Sequence, residues 1–275
     1  MKIIHFSDTH IHDELIIGQD SNLRFKKALE HISNNHLDAD LFVITGDLTH
    51  HGRLKSYEKF SEILREAKLP KHLSPKLIIG NHDNRDTFKK KFTKVPIDEN
   101  GFIQYELEFS SNKFLFLDTN LPKSHQGHYC EKRIKWLENK LKASQSEEKG
   151  VYLFMHHNPI AMVKESSDYL GIQQKKEFQS LLIKYSNNIK HIFFGHQHLT
   201  VSGKLGNISF SAPRSISHPL ITNYSDKYRL GTAHTEPNYN VILIKKDSII
   251  VHTEDFLKLE VEWFETTQEG WPEDK

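Results

Sequence analysis

Apolar residues along this chain gather in short runs, and between the runs lie longer stretches in which apolar positions recur every three or four residues. The short runs read as buried strands and the longer stretches as amphipathic helices. Residues 2–6 are a predicted strand. Residues 21–34 are a helix, with Leu23, Ala28, Leu29 and Ile32 near helical spacing. Residues 41–45 are a strand, 57–67 a helix carrying Phe60, Ile63 and Leu64 on one face, and 76–79 a third strand. A hairpin follows from 102–109 and 113–118 across Ser110-Ser111-Asn112. Residues 131–143 and 173–185 read as helices, and 151–155 and 191–194 as strands. The remainder is mostly β, with 200–205 pairing 208–211 across Gly206-Asn207 and 239–245 pairing 248–253 across Lys246-Asp247. Strands and helices in this alternation predict an α/β layered fold.

Two longer segments, 160–172 and 214–238, lack such a pattern. Long loops in a compact domain are often functional. The final stretch from 254 to 275 is acidic and carries Trp263 and Trp271. It is expected to pack as an arm on the body or against the second subunit of a homodimer. The chain thus divides into one large domain, 1–255, and a C-terminal arm, 256–275.

Composition narrows the function classes. With 275 residues, 37% of them hydrophobic and 17 of them Phe, the chain can fill a sizeable core. Its 37 basic and 36 acidic residues nearly cancel. No basic block dominates, so neither a nucleic acid nor a membrane is an expected partner; Lys89-Lys90-Lys91 reads as solvated helix surface. Cys130 is the only cysteine, which excludes an internal disulfide. Residues 1–6 run into a strand with no signal-peptide core, and no apolar stretch approaches the ~20 residues of a membrane span. A cytoplasmic protein is expected.

The chemistry lies in five islands, each just after an apolar strand: Asp8-Thr9-His10, Gly46-Asp47, Gly80-Asn81-His82-Asp83, His156-His157 and Gly195-His196-Gln197-His198. Taken singly, each could be a polar turn. Alternate residues of an extended segment point the same way, so Asp8 with His10, and His196 with His198, can each grip one ion. Asp47 could bridge two ions through its two oxygens, and Asn81 offers a neutral oxygen. His82 would face the space between metals and substrate, and Asp83 could hold the His82 ring and raise its proton affinity. Spacing alone does not choose between His156 and His157. Five ligand-bearing islands at strand ends in one α/β pattern argue jointly for two metal ions. The mixed oxygen and nitrogen set suits Mn, Fe or Zn better than Mg or Ca, and lacking thiolate it is unlike a closed structural zinc site. Two carboxylates against two divalent ions leave a net +2, which attracts a phosphate ester.

These islands, in this order, resemble the calcineurin-like metallophosphoesterase superfamily over residues 8–198. Asn84-Arg85-Asp86 after the third island, and Asn158-Pro159 with a long loop after the fourth, look like the class III cyclic-nucleotide phosphodiesterases and related bacterial glycerophosphodiesterases. The resemblance implies a four-layer αββα sandwich of two mixed β-sheets flanked by helices, with 1–255 as the metallophosphoesterase domain. It implies one metal on Asp8, His10, Asp47 and His198, and a second on Asp47, Asn81, His156 and His196. It implies a metal-activated hydroxide as nucleophile, with His82 stabilising the transition state or protonating the leaving oxygen, and Asn81, His82 and His218 meeting the substrate. Two departures stand out. Many relatives read His-His-Pro-Pro where Asn158 stands here. The phosphoprotein phosphatases carry Asp-Arg-Gly after their second motif, whereas Asp47 is followed by Leu48-Thr49, which disfavours a protein-phosphatase role. The expected function is a phosphodiesterase acting on a small phosphodiester, with 3′,5′-cyclic AMP a candidate. A glycerophosphodiesterase, a phosphomonoesterase, a nuclease and a non-catalytic scaffold on the same fold are the competing readings.

Overall fold

The computed structural model of the chain describes residues 1–109, 111–162, 165–226, 230–232 and 235–257. In chain order its elements are β1 (Lys2–Phe6), α1 (Ser21–Asn35), β2 (Leu41–Thr45), α2 (Leu54–Glu66), β3 (Lys76–Ile78), α3 (Arg85–Lys91), β4 (Tyr105–Phe109), β5 (Asn112–Phe116), α4 (Glu131–Ser146), β6 (Gly150–Phe154), α5 (Glu165–Leu170), α6 (Lys175–Lys184), β7 (Ile189–Phe193), β8 (Val201–Leu205), β9 (Ile208–Ala212), β10 (Leu220–Thr222), β11 (Leu230–Thr232), β12 (Asn238–Ile244) and β13 (Ile249–Asp255).

Two mixed sheets form the centre. The first runs β13-β12-β1-β2-β3 and the second β4-β5-β6-β7-β9-β8, while β10 and β11 make a separate ribbon. In the first sheet β1, β2 and β3 are parallel, and β12 returns antiparallel to β1. In the second, β5, β6, β7 and β9 are parallel, with β4 and β8 antiparallel at the edges. The sheets meet through Ile3, Val43 and Ile78 on one side and Phe114, Tyr152 and Phe193 on the other. Phe116, Phe154 and Phe193 stack across β5, β6 and β7, with centroids 5.3 and 4.8 Å apart. Such flat rings fill the narrow space between two pleated surfaces, where offset stacking is favourable.

Helices cover both outer faces. Phe25, Leu29 and Ile32 of α1, Tyr57, Phe60 and Ile63 of α2 and Phe88 of α3 bury against the first sheet. Leu137 and Leu141 of α4 and Phe178, Leu181 and Leu182 of α6 bury against the second. The result is the four-layer αββα sandwich. Helix starts follow local chemistry: Asp20 accepts the Leu23 amide at the head of α1, and Asn84 accepts that of Thr87 at the head of α3.

Several elements depart from the sequence pattern, among them α3 (Arg85–Lys91), which no expected helix covered. α2 begins at Leu54, not 57, and Arg53 gives it no side-chain cap. β4 begins at Tyr105, not 102, because Asp98 accepts the amides of Asn100 and Phe102 and ties that stretch into a turn. α5 lies inside the segment 160–172, and the β10–β11 ribbon inside 214–238. Of the expected arm, Phe256 is buried and stacks on Tyr239; residues 258–275 lie outside the described residues. No helix among the described residues is long and apolar enough to cross a membrane.

Candidate metal centre

All five islands follow parallel strands: β1, β2 and β3 of one sheet, β6 and β7 of the other. The carboxyl ends of such strands are where open α/β sheets place their sites. Main-chain hydrogen bonds lock the islands together. The Asp8 amide donates to the Gly46 carbonyl at 3.1 Å, the His10 amide to Asp47 at 2.8 Å, and the Gly195 amide to His156 at 3.0 Å. The turns are tight. Asp8, His10, Asp47, His196 and His198 all take positive φ, between 44° and 68°. Left-handed backbone is costly for side-chain-bearing residues and concentrates at functional sites. Five such residues in one spot turn their side chains inward.

Asp47 stands at the centre. Its Oδ1 accepts the His82 amide at 2.8 Å. Its Oδ2 lies 3.5 Å from His10 Nε2 and 3.4 Å from His156 Nε2. On the first side, His198 Nε2 is 3.3 Å from Asp8 Oδ1 and 3.2 Å from His10 Nε2. On the second, Asn81 Oδ1 is 3.0 Å from His156 Nε2 and 2.9 Å from His196 Nδ1. Asp8, His10 and His198 thus converge on one side of Asp47, and Asn81, His156 and His196 on the other.

Hydrogen bonds around these groups fix which atoms face inward. His156 Nδ1 donates to the Thr45 carbonyl at 2.8 Å, and His198 Nδ1 to the His218 carbonyl at 2.7 Å. Each ring therefore presents Nε2 to the site. The Asn81 amide donates to His125 Nδ1 at 2.9 Å, which leaves Oδ1 for the interior. Asp8 Oδ2 accepts the His196 amide at 3.0 Å, whereas Asp8 Oδ1 is buried with no hydrogen bond among the described residues. That oxygen faces the Nε2 atoms of His198 and His10, at 3.3 and 3.9 Å, and a buried carboxylate oxygen among imidazole nitrogens fits a cation in that position.

The electrostatics agree. Burial penalises the charge of Asp8, but the His198 and His156 rings together offset this and hold the carboxyl below its usual value. Burial opposes the charge of Asp47 as well, and His156 and His82 pull it well below. Against its own burial, the His156 ring is raised to about 9 by Asp47. Burial keeps His196 down to about 3, with His156 adding to the effect. A cation held here would take the place of the proton on His156.

The profile of the calcineurin-like phosphoesterase family matches residues 1–199. The chain belongs to that family. By membership it is a metal-dependent hydrolase. This phosphoesterase is 28% identical over 261 residues to a protein of Rhodopseudomonas palustris named "probable cyclic nucleotide phosphodiesterase", covering 94% of this chain and 93% of the relative. It is 27% identical over 224 residues to an Arcobacter nitrofigilis protein named "probable glycerophosphodiester phosphodiesterase", covering 80% of each. In fold it resembles a dimetal phosphatase from Danio rerio, with a TM-score of 0.70 at 12% identity over 94% of this chain and 96% of the other.

Three sequence expectations sharpen here. His156, not His157, meets Asp47 and Asn81; His157 Nδ1 is instead 2.7 Å from Thr119 Oγ1, and its Nε2 is buried beside His196. His218 is brought in, its ring 4.3 Å from that of His198 and 4.9 Å from that of His10. Asp83 is corrected: it does not hold the His82 ring. It accepts the amides of Leu48, Thr49 and Gly80 and the Tyr57 hydroxyl, all between 2.9 and 3.2 Å. The His82 ring is held by the His50 carbonyl, to which Nδ1 donates at 2.8 Å, and it stacks on the His50 ring at 5.0 Å. Asp83 stays buried under the turn, raised to about 6 by burial and the nearby Asp47 charge.

A cavity of about 500 Å³ opens over the islands, lined by His50, His51, Asn81, His82, Lys123, Ser124 and His125. Lys123, Ser124 and His125 come from the loop after β5, which the sequence pattern did not single out. The signal was present as another polar island at a strand end, Asp118-Thr119-Asn120. Its side chains support the centre from outside. Asp118 pairs with Arg85 through two bonds of 2.7 and 2.8 Å, and Asn120 donates to the Gly80 carbonyl at 2.7 Å.

Proposed function

We propose that this chain hydrolyses a small phosphodiester with two bound metal ions, and that 3′,5′-cyclic AMP is the first substrate to test, a glycerophosphodiester the second. The observation that carries the reading is Asp47 Oδ2, shared between two converging ligand groups. Asp8, His10, Asp47 and His198 would hold one ion; Asp47, Asn81, His156 and His196 would hold the other. Mn, Fe and Zn suit this donor set. When bound, such a pair neutralises phosphate charge and makes water a better nucleophile at neutral pH.

The protein's own groups do the rest. With Nδ1 committed to the His50 carbonyl, the His82 ring has only Nε2 to offer. In the protonated ring that N–H can stabilise a phosphate oxygen or pass its proton to the leaving oxygen. Asn81 and His218, on either side of the centre, would help seat the substrate. Lys123 and the imidazoles of the cavity wall suit an anion, and the cavity volume falls in the range of small-molecule sites. A near-neutral net charge gives no support for a long nucleic acid as substrate. The names of the Rhodopseudomonas and Arcobacter relatives favour a diester over a monoester.

The test is one screen of the metal-loaded protein against cyclic nucleotides, glycerophosphodiesters and phosphomonoesters side by side. Diester turnover is expected. Turnover of monoesters alone would overturn the diesterase reading, and no turnover of any phosphoester would favour the scaffold.

A further inference from the structure

A second group of metal-binding side chains lies away from the islands, where α1 ends beside β12 and β13. His31 near the end of α1, His36 at its C-terminal cap and Glu254 on β13 bring one ligand atom each to within 4.8 Å of one another. None of the three contacts the two-metal centre through any hydrogen bond or ring contact among the described residues.

His36 is the informative member. It is 8% exposed, and neither ring nitrogen has a hydrogen-bond partner among the described residues. A neutral imidazole always carries one N–H and one lone pair, so burying both unpaired is costly. Something that accepts the lone pair is missing from the set of protein partners. His31 is already oriented, with Nδ1 2.6 Å from the Tyr239 hydroxyl and Nε2 uncommitted in the hydrogen bonds of the described residues. The rings of His31, His36 and Tyr239 pack edge to face with centroids 5.8 to 5.9 Å apart. Lys2, whose charge reaches His36, is drawn aside by Asp38 at 2.6 Å.

We propose that His31, His36 and Glu254 form a third cation site, for a borderline divalent ion such as Zn²⁺. Two imidazoles and one carboxylate, with water in the fourth position, are a donor set that Zn²⁺ takes. Its bond lengths place tetrahedral ligand atoms roughly 3.3 Å apart, so the three groups need to close by no more than about 1.5 Å. The Tyr239 hydroxyl acts as the outer partner that orients the His31 ring. The ion would staple the C-terminal end of α1 to β13, the edge strand that pairs with β12. Its role is structural, since it lies apart from the catalytic cavity and shares no lining residue with it.

Zn²⁺ itself is the probe, in equilibrium dialysis of the full chain with bound metal counted per chain. Glu254→Gln and His31→Ala are each expected to lower the count by one, both in the parent and in an Asp8→Asn background in which the main centre is impaired. Glu254 is only partly buried, so its variant guards against misfolding that His36→Ala could cause. In the Asp8→Asn background Zn²⁺ should still raise Tm, and adding Glu254→Gln should shrink that rise, leaving only the part owed to Asp47, Asn81, His156 and His196. Phosphodiester turnover of Glu254→Gln should match the parent. An unchanged Zn²⁺ count in both variants, or a Tm rise that Glu254→Gln leaves undiminished, overturns the proposal.

Discussion

At the residue scale, neighbours in the chain have opposite jobs. His82 and Asp83 are adjacent, yet the His82 ring faces the cavity and the Asp83 carboxylate turns under it to hold three amides and a hydroxyl. The two substitutions should therefore differ in kind. His82→Ala keeps the backbone amide that Asp47 accepts, so metal content should stay at the parent level while kcat falls about 10²–10⁴-fold, the range of a lost general acid. Unchanged hydrolysis of a generic phosphodiester by His82→Ala would remove the side chain from the chemistry. Asp83→Asn instead sets an amide NH₂ against buried donors, and a loss of about 2–3 kcal/mol in urea unfolding is expected. The ligand types were legible in the sequence because each sits in a turn straight after a strand. The partners were not. A carbonyl holds the His82 ring, and carbonyls carry no residue identity; it belongs to His50, 32 positions earlier. The choice between His156 and His157 likewise depends on Thr119, whose hydroxyl claims the second ring.

At the element scale, the strands and long helices could be read because burial imposes their period. Ala28, Leu29 and Ile32 trace the buried face of α1 as their spacing predicts, whereas Leu23, grouped with them, is exposed and Phe25 takes its place; 41–45 is apolar throughout. The missed elements are too short to show a period: α3 has seven residues, α5 six, and β10 and β11 three each. The loops between strand and helix carry the site, and their geometry depends on small residues. Gly195 opens the fifth island after β7, and a Cβ there would sit 1.7 Å from Ser7 Oγ and 2.7 Å from Asp8 Oδ2. No rotation of the alanine methyl relieves that contact, so Gly195→Ala has to push the mouths of the two sheets apart. We expect a loss of about 1–3 kcal/mol, as for an overpacked core, together with weaker metal retention. Gly206, in the β8–β9 turn, has φ of 58°, and a Cβ there would meet nothing within 4 Å. Gly206→Ala should cost about 1–2 kcal/mol from left-handed strain alone and leave metal content untouched. Thermal unfolding with metal analysis of both variants checks the pair, and equal metal content in the two would count against the close approach at Gly195.

At the scale of the whole molecule, the space between the sheets holds histidine as well as phenylalanine, and this sets how the fold answers to acid. His5 on β1 packs edge-on against Phe154 and Phe193 of the opposite sheet. The Thr45 hydroxyl donates to the Phe6 carbonyl, so it accepts from His5 Nε2 at 2.9 Å. His5 Nδ1 is then left buried without a partner among the described residues, and the neutral ring is the form that fits. Burial pulls its pKa from 6.5 to about 3, more than the Asp8 charge can restore. His191, stacked on Phe193 and bonded to Ser211, is lowered to about 4 by burial. In the unfolded chain both rings titrate near 6.5. Between that value and the folded pKa the unfolded state binds more protons than the native state, so stability is present above pH 6.5 and is lost as the pH falls towards 4. A ring that stays neutral in the fold forfeits about 2 kcal/mol at pH 5, from 1.5 units at 1.36 kcal/mol each. His5→Gln keeps a donor for Thr45 and cannot titrate. Its stability should therefore fall less than the parent's between pH 8 and pH 5, by about 2 kcal/mol. The groups of the candidate metal centre are common to both proteins, so the difference between the two urea-unfolding profiles reports His5 together with its coupling to Asp8 and His191. Parallel profiles across that range would mean that His5 takes up a proton inside the folded sandwich.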